Sequence, residues 1–142
     1  MNSPGIYDLG SRVITTELTD EVITSGVNEY VDNLEGMLSG NFEIRFSYGA
    51  GGTDCKVYVQ TSLDQGDTWI DIAQAKFTTS SGTKVLNLSG LTPVTSAVSP
   101  TDGGMSDNSS IDGILGDRFR TKVTSTGTYT TNTSVAVRLN AR

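Results

Sequence analysis

Apolar and polar residues alternate along much of this chain with a period of two, the spacing of a strand with one buried and one wet face. The clearest case is Phe42, Ile44, Phe46 and Tyr48 interleaved with Glu43, Arg45 and Ser47. Cys55, Val57 and Val59 then alternate with Lys56, Tyr58 and Gln60, and Trp69, Ile70 and Ile72 open a further strand towards Phe77. Val85–Leu88, residues 118–125 and residues 134–140 read the same way, with 126–133 as a hairpin connection between the last two. Earlier in the chain a strand is predicted at about 12–18, and an apolar run covers 21–27. Val27, Tyr30, Val31 and Leu34 fit a helical period, but that helix would be short and poorly capped, so a strand ending in a turn is preferred over 28–37.

Gly and Ser clusters at Tyr48–Thr53 and Ser80–Gly82 punctuate these runs as turns. The pattern predicts an all-β fold, an antiparallel β-sandwich (jelly-roll-like or Ig-like) of about eight strands. Two segments fall outside the rhythm. Residues 1–10 are predicted as an extended N-terminal arm, because Pro4 and Gly5 oppose an early helix and Ile6, Tyr7 and Leu9 have no local apolar partner. Residues 11–142 then make a single domain, interrupted by a long polar loop at about 90–116 that contains Pro93 and Pro100. Loops of that length in a compact domain are usually functional or partly disordered.

Composition supports the strand reading. The 142 residues include 20 Thr, 16 Ser and 16 Gly but only 3 Pro, which favours pleated surfaces and many turns. No stretch approaches the ~20 apolar residues that span a bilayer, so no membrane partner is expected. The first residues, MNSPGIYDLGSR, have neither the basic start nor the apolar core of a secretory signal, so synthesis in a cytoplasm is expected. The lone Cys55 has no intramolecular disulfide partner and is predicted to be a small buried hydrophobe.

Candidate chemistry is sparse. The chain has no histidine, which excludes His-based triads and His metal sites, and one Cys without His does not make a thiol enzyme. No enzymatic activity, cofactor or metal is expected. The Gly-rich turn Tyr48–Thr53 lacks the Lys-Ser/Thr of a phosphate-binding loop. Asp102, Asp107, Asp112 and Asp117 recur every five residues in the long loop; the spacing fits no EF-hand, and solvated turn aspartates are expected.

The most specific motif is Ser62-Leu-Asp64-Gln-Gly66-Asp-Thr68-Trp69. It resembles the Asp box, Ser-x-Asp-x-Gly-x-Thr-Trp, of sialidase-like propellers and other β-proteins, where it is structural. One copy does not make a propeller. Asp64 is expected to accept backbone N–H bonds of its own turn, Gly66 to supply a positive φ, and Trp69 to pin the hairpin to the core.

Charge is uneven. The net formal charge is −6, yet residues 118–142 hold Arg118, Arg120, Lys122, Arg138 and Arg142 and no acid. Arg118, Arg120 and Lys122 are predicted to share one strand face, with Arg138 joining them. The acidic body and the absence of interleaved aromatics speak against nucleic acid as a partner. A contact with an acidic partner, or with the acidic surface of another copy, fits better.

The run Cys55–Ala73, and Ile111–Arg120 leading into Thr126–Tyr129, resemble recurring segments of small tailed-phage and prophage virion proteins. The likeness covers about residues 20–142 and is to capsid decoration (cement) proteins built on β-sandwiches. It implies an outer-capsid location, binding to the major capsid protein, and homotrimers at local threefold positions. Ile6, Tyr7 and Leu9 of the arm, with the long loop, are the contact elements it implies. Two other classes remain: a head–tail connector or tail/fibre component, and a carbohydrate- or receptor-binding module using Tyr30, Tyr58 and Tyr129 as an aromatic platform.

Overall fold

The alternation at Phe42–Tyr48 sets the architecture, because burying Phe42, Ile44 and Phe46 requires a second apolar sheet on the same side. The computed structural model describes residues 4–25 and 28–142; residues 1–3 of the expected arm and 26–27 of the expected 21–27 run lie outside the described residues. Among the described residues the chain forms ten strands and no helix. They are β1 (Gly5–Val13), β2 (Glu21–Val22), β3 (Ser39–Ser47), β4 (Ala50–Gly51), β5 (Asp54–Ser62), β6 (Ile70–Phe77), β7 (Gly82–Ser89), β8 (Arg118–Thr126), β9 (Tyr129–Thr130) and β10 (Ser134–Ala141).

Two four-stranded antiparallel sheets make the sandwich. The first has the order β1-β10-β3-β7 and the second β2-β8-β5-β6, while β4 and β9 form a small ribbon at one end. The inward face of the first sheet carries Phe42, Ile44, Phe46, Val135, Val137 and Leu139, and that of the second carries Cys55, Val57, Val59, Phe119 and Val123. Phe42 and Phe119 meet across the gap with ring centroids 6.2 Å apart, and Phe46 packs on Phe77 at 5.1 Å. Truncating a fully buried aromatic such as Phe119 costs about 3–5 kcal/mol, so this layer carries much of the fold's stability.

Where the period of two was clean, the strands fall where it placed them. The N-terminus differs. Residues 5–13 are not a free arm: they are β1, paired along their length with β10 from Gly5↔Ala141 to Val13↔Ser134. A bulge between Asp8 and Gly10 inserts Leu9 as an extra residue, and Leu9 is buried in the core. The bulge breaks the period, so Ile6, Tyr7 and Leu9 do not read as a strand. The strand expected at 12–18 therefore starts and ends earlier, and Leu18 instead ties to Ser125 through its N–H and C=O. Within 28–37 the expected strand reduces to one bridge, Val31↔Phe119, followed by a turn with Gly36 at φ +84°.

Candidate functional site

The Asp-box turn joins β5 to β6, and its bonds are those its residue types dictate. Gly66 N–H donates to Ser62 Oγ at 2.8 Å, and Thr68 donates to Asp64 twice, from N–H at 2.8 Å and from Oγ1 at 2.5 Å. Ser62 Oγ in turn donates to Asp64 Oδ1 at 2.9 Å. Gly66 has φ +94°, and Gln65 before it is also left-handed at +62°. The Thr68 side-chain bond, with the other donors of the turn, holds the Asp64 carboxyl below the ordinary carboxylate value of 3.8.

The turn delivers Trp69 to the outer face of the second sheet, not to the inter-sheet core. There the Arg120 guanidinium lies 4.3 Å from the Trp69 ring centre, Tyr30 packs on Trp69 at 5.7 Å, and Arg118 lies 5.1 Å from the Tyr30 ring. Arg118 also donates to the Gln65 carbonyl inside the turn and, at 3.3 Å, to Tyr30 Oη. The Asp box, residues 28–31 and the start of β8 thus form one alternating stack of cations and rings.

Below that stack, strand register sets polar side chains in rows across β8, β5 and β6. Arg120, Gln60 and Asp71 form one row, Lys122, Tyr58 and Gln74 the next, and Thr124, Lys56 and Lys76 a third. They lie on the outer face, which would meet solvent in a bare sheet; Asp71 joins Gln74 there because the β5–β6 register shifts around Ile72. Instead, Gln60, Asp71, Gln74, Tyr58 and Lys122 are buried, because residues 101–111 of the long loop lie over them. This strap binds the open edge of β6 through Asp71 N–H to Thr101 O, Gln74 N–H to Ser109 O and Ile111 N–H to Ile72 O, each at 2.9 Å.

Carboxylates stitch the strap down. Asp71 is fully buried and accepts from Gln60 Nε2 at 2.8 Å, Thr101 Oγ1 at 2.8 Å, and the N–H groups of Gly103, Gly104 and Met105 at 2.8, 3.0 and 3.2 Å. Asp102 reaches down to Lys122 Nζ at 2.5 Å, Gln60 Nε2 at 2.6 Å and Arg120 at 3.7 Å. Asp107 pairs with Lys76 at 3.4 Å and Lys56 at 3.5 Å and accepts from Gln74 at 3.0 Å. Asp112 closes the base of the loop by accepting from Ser89 N–H at 2.6 Å and Thr92 Oγ1 at 2.9 Å. Asp117 lies 3.9 Å from Arg118.

Asp102, Asp107 and Asp112 are exposed, as expected of turn aspartates, but they also tie the loop down, whereas Asp117 meets its sequence neighbour Arg118. Desolvation raises the Asp102 and Asp107 carboxyls, but bonds and charges from Lys122, Gln60 and Arg120 in one case and Lys76, Lys56 and Gln74 in the other outweigh it. Both carboxyls sit below 3.8. Asp112 is lowered by the Ser89 N–H first and then by Thr92. Burial lowers the Arg120 guanidinium below its ordinary value, against Asp102, Glu29 and Asp71, which raise it. Among the described residues no three His, Cys, Asp or Glu side chains converge as they would on a metal ion.

The expected four-residue basic patch does not form. Arg118, Arg120 and Lys122 do share the outer face of the second sheet, but the strap and its aspartates cover and neutralise most of it. Arg138 lies on the outer face of the first sheet, on the opposite side of the molecule, where it bonds Asp8 at 3.0 Å. β10 pairs with β1 and β3, not with β8, so a chain-adjacent hairpin of β8 and β10 does not exist. The contact residues assigned to the arm are also redistributed. Leu9 is core, Tyr7 is half-buried, and Ile6 remains 74% exposed on the outer face of the first sheet.

That outer face holds a shallow groove of about 670 Å³ running from Ile6 on β1 past Arg138, Asn140, Asn41 and Glu43 to Val85 and Asn87 on β7. It contains no exposed aromatic ring. Tyr58 is under the strap, Tyr129 is core with its hydroxyl donating to Thr78 O at 2.8 Å, and Tyr30 is in the Trp69 stack. The three tyrosines do not form one platform. Burial raises the Tyr129 hydroxyl to about 12, and burial with nearby Asp54 raises the Cys55 thiol to about 12.

Compared with known proteins, the chain matches no family model, no curated protein and no solved structure.

Proposed function

We propose that this protein is a structural component of a tailed-phage particle that decorates the outer capsid and stabilises it by binding the major capsid protein. The observation that carries the reading is how the resembling segments fold. Cys55–Ala73 and Ile111–Arg120, far apart in sequence, meet as β5, the Asp-box turn, β6, the end of the strap and the start of β8. The parts that resemble virion proteins are thus one physical unit, stitched by the Arg120–Trp69 contact and the Thr61 Oγ1 bonds to Gly116 N–H and Arg118 O, each at 2.9 Å. A unit so heavily cross-tied suits a protein whose work is mechanical.

With β1 held in the sheet, the exposed elements left to meet a capsid are the outer face of the first sheet, with Ile6 and Val85, and the tip of the long loop around Leu91, Val94 and Val98. A glycan-binding reading finds less support, since that face lacks the aromatic platform such sites use. The reading is tested by counting copies per particle by quantitative gel densitometry. A fixed stoichiometric ratio to the major capsid protein supports decoration. A handful of copies per particle supports a connector or tail component instead.

A further inference from the structure

A sandwich of two open sheets has four edges, and exposed edges invite pairing with other chains. Here two are covered and a third is met at its bulge, among the described residues. The open side of β1 is met by residues 22–24 at its bulge, where Thr24 Oγ1 donates to Leu9 O at 2.5 Å and the Arg12 side chain donates to Val22 O at 3.5 Å. The far side of β8 is covered by β2, by Ile23 N–H to Thr121 O at 3.0 Å, and by the Val31 bridge. The edge of β6 is covered by the strap. The fourth edge, β7, is different.

The direction of the β7 backbone groups is fixed at its end. Gly90 N–H donates to Leu38 O on the β3 side at 2.7 Å, whereas Ser89 N–H points the other way, to Asp112. By the two-residue alternation, Gly82, Lys84, Leu86 and Leu88 bond to β3, and Thr83, Val85 and Asn87 direct their N–H and C=O groups outward. These three residues are exposed, and no described residue bonds their outward groups. The strand pairs with β3 without a bulge and contains no proline, and its one charge, Lys84, is turned away to Lys76 O and Asn108 Oδ1, both at 2.7 Å. Lys84 is thus the one edge-blunting charge on the strand, and Thr83, Val85 and Asn87, which carry the outward groups, have none.

We propose that β7 is a self-association edge, pairing antiparallel with β7 of a second copy about a two-fold axis at Val85. The sequence of the edge is self-complementary in that register. Val85 faces Val85 of the other copy, and Thr83 faces Asn87 in both directions. All three are hydrogen-bonded pairs that exchange two bonds each, so every outward N–H and C=O of the three residues is satisfied. On the outer face the 72%-exposed Val85 side chains meet each other, and no two charges stand directly opposite. On the inner side, the Asn108–Ser110 turns of the two copies face each other beside the gap of about 300 Å³ between β7 and the strap. The result is one continuous eight-stranded outer sheet, with two-fold symmetry in place of the threefold symmetry the resemblance implies.

The test uses the whole chain with a charge swap at the axis. Analytical ultracentrifugation of the native protein should show a concentration-dependent shift from 15.0 kDa to twice that mass. Val85→Lys and Val85→Glu should each weaken self-association about tenfold or more, because the same charge then faces itself. Mixed one to one, the two variants should recover the dimer. Unchanged far-ultraviolet circular dichroism and melting of each variant confirm that the fold survives, as expected for an exposed side chain. As a second readout, Val85→Cys should oxidise to a covalent dimer while Thr83→Cys does not. A monomer or trimer at all concentrations, or variants that fail to restore each other, overturns the proposal.

Discussion

The Arg120 guanidinium and the Trp69 ring lie 4.3 Å apart, and this one contact joins the Asp-box turn to the charged rows beneath the strap. Arg120 also bonds Gln60 Oε1 at 2.7 Å and faces Asp102, so it is held from three sides. A partly buried cation–π pair of this kind contributes about 1 kcal/mol. In a double-mutant cycle with Arg120→Gln and Trp69→Leu, measured by urea unfolding, a coupling of about that size is expected. Strictly additive effects would show that the contact carries no energy.

The Asp box acts through Asp64, which collects the Ser62 and Thr68 donors of the turn. Asp64→Ala should lower Tm by a few degrees, and Asp64→Asn, which keeps an acceptor oxygen, should lower it less. Differential scanning calorimetry checks this. An unchanged Tm for Asp64→Ala would remove the turn from the list of stabilising features.

The strap should respond to acid. Asp102 and Asp107 have folded values below 3.8, so their contribution to stability is complete above about pH 4 and is lost as pH falls through the folded values. Unfolding free energy measured by Trp69 fluorescence against pH should fall steeply below pH 4 in the native protein. Asp102→Asn with Asp107→Asn should be less stable at neutral pH and show a shallower acid limb. Parallel pH curves for the two proteins would contradict the clamp role.

Cys55 is fully buried between the sheets, and its thiol is raised to about 12. Thiolate is the reactive form, so a disulfide reagent at pH 8 should leave the native protein unmodified and label one thiol rapidly in denaturant. Rapid labelling without denaturant would mean that the sandwich opens far more readily than its packing implies.

The strands β3, β5, β8 and β10 were legible in the sequence because each buries one face against the other sheet and keeps the period of two, while β6 was legible from its apolar run although its pairing with β5 shifts around Ile72. β1 was not, because its bulge at Leu9 breaks that period while pairing continues. The strap was half legible. The five-residue spacing of its aspartates was visible, but their partners were not, since Tyr58 and Gln60 occupy positions that alternation gives to solvent, and Asp71 and Gln74, three residues apart, share that face only through the register shift at Ile72. A covering segment about thirty to forty residues further along the chain buries them, and periodicity in a strand does not distinguish water from a loop. The basic face failed for a topological reason: β8 and β10 are neighbours in sequence and lie in different sheets.

The proposed function is tested most directly by adding the purified chain to capsids that lack it and measuring bound protein and particle stability together. Binding is expected to saturate at a fixed ratio to the major capsid protein and to raise the temperature at which the particles release their DNA. No binding, or binding confined to a single vertex with unchanged particle stability, would contradict a decorating role.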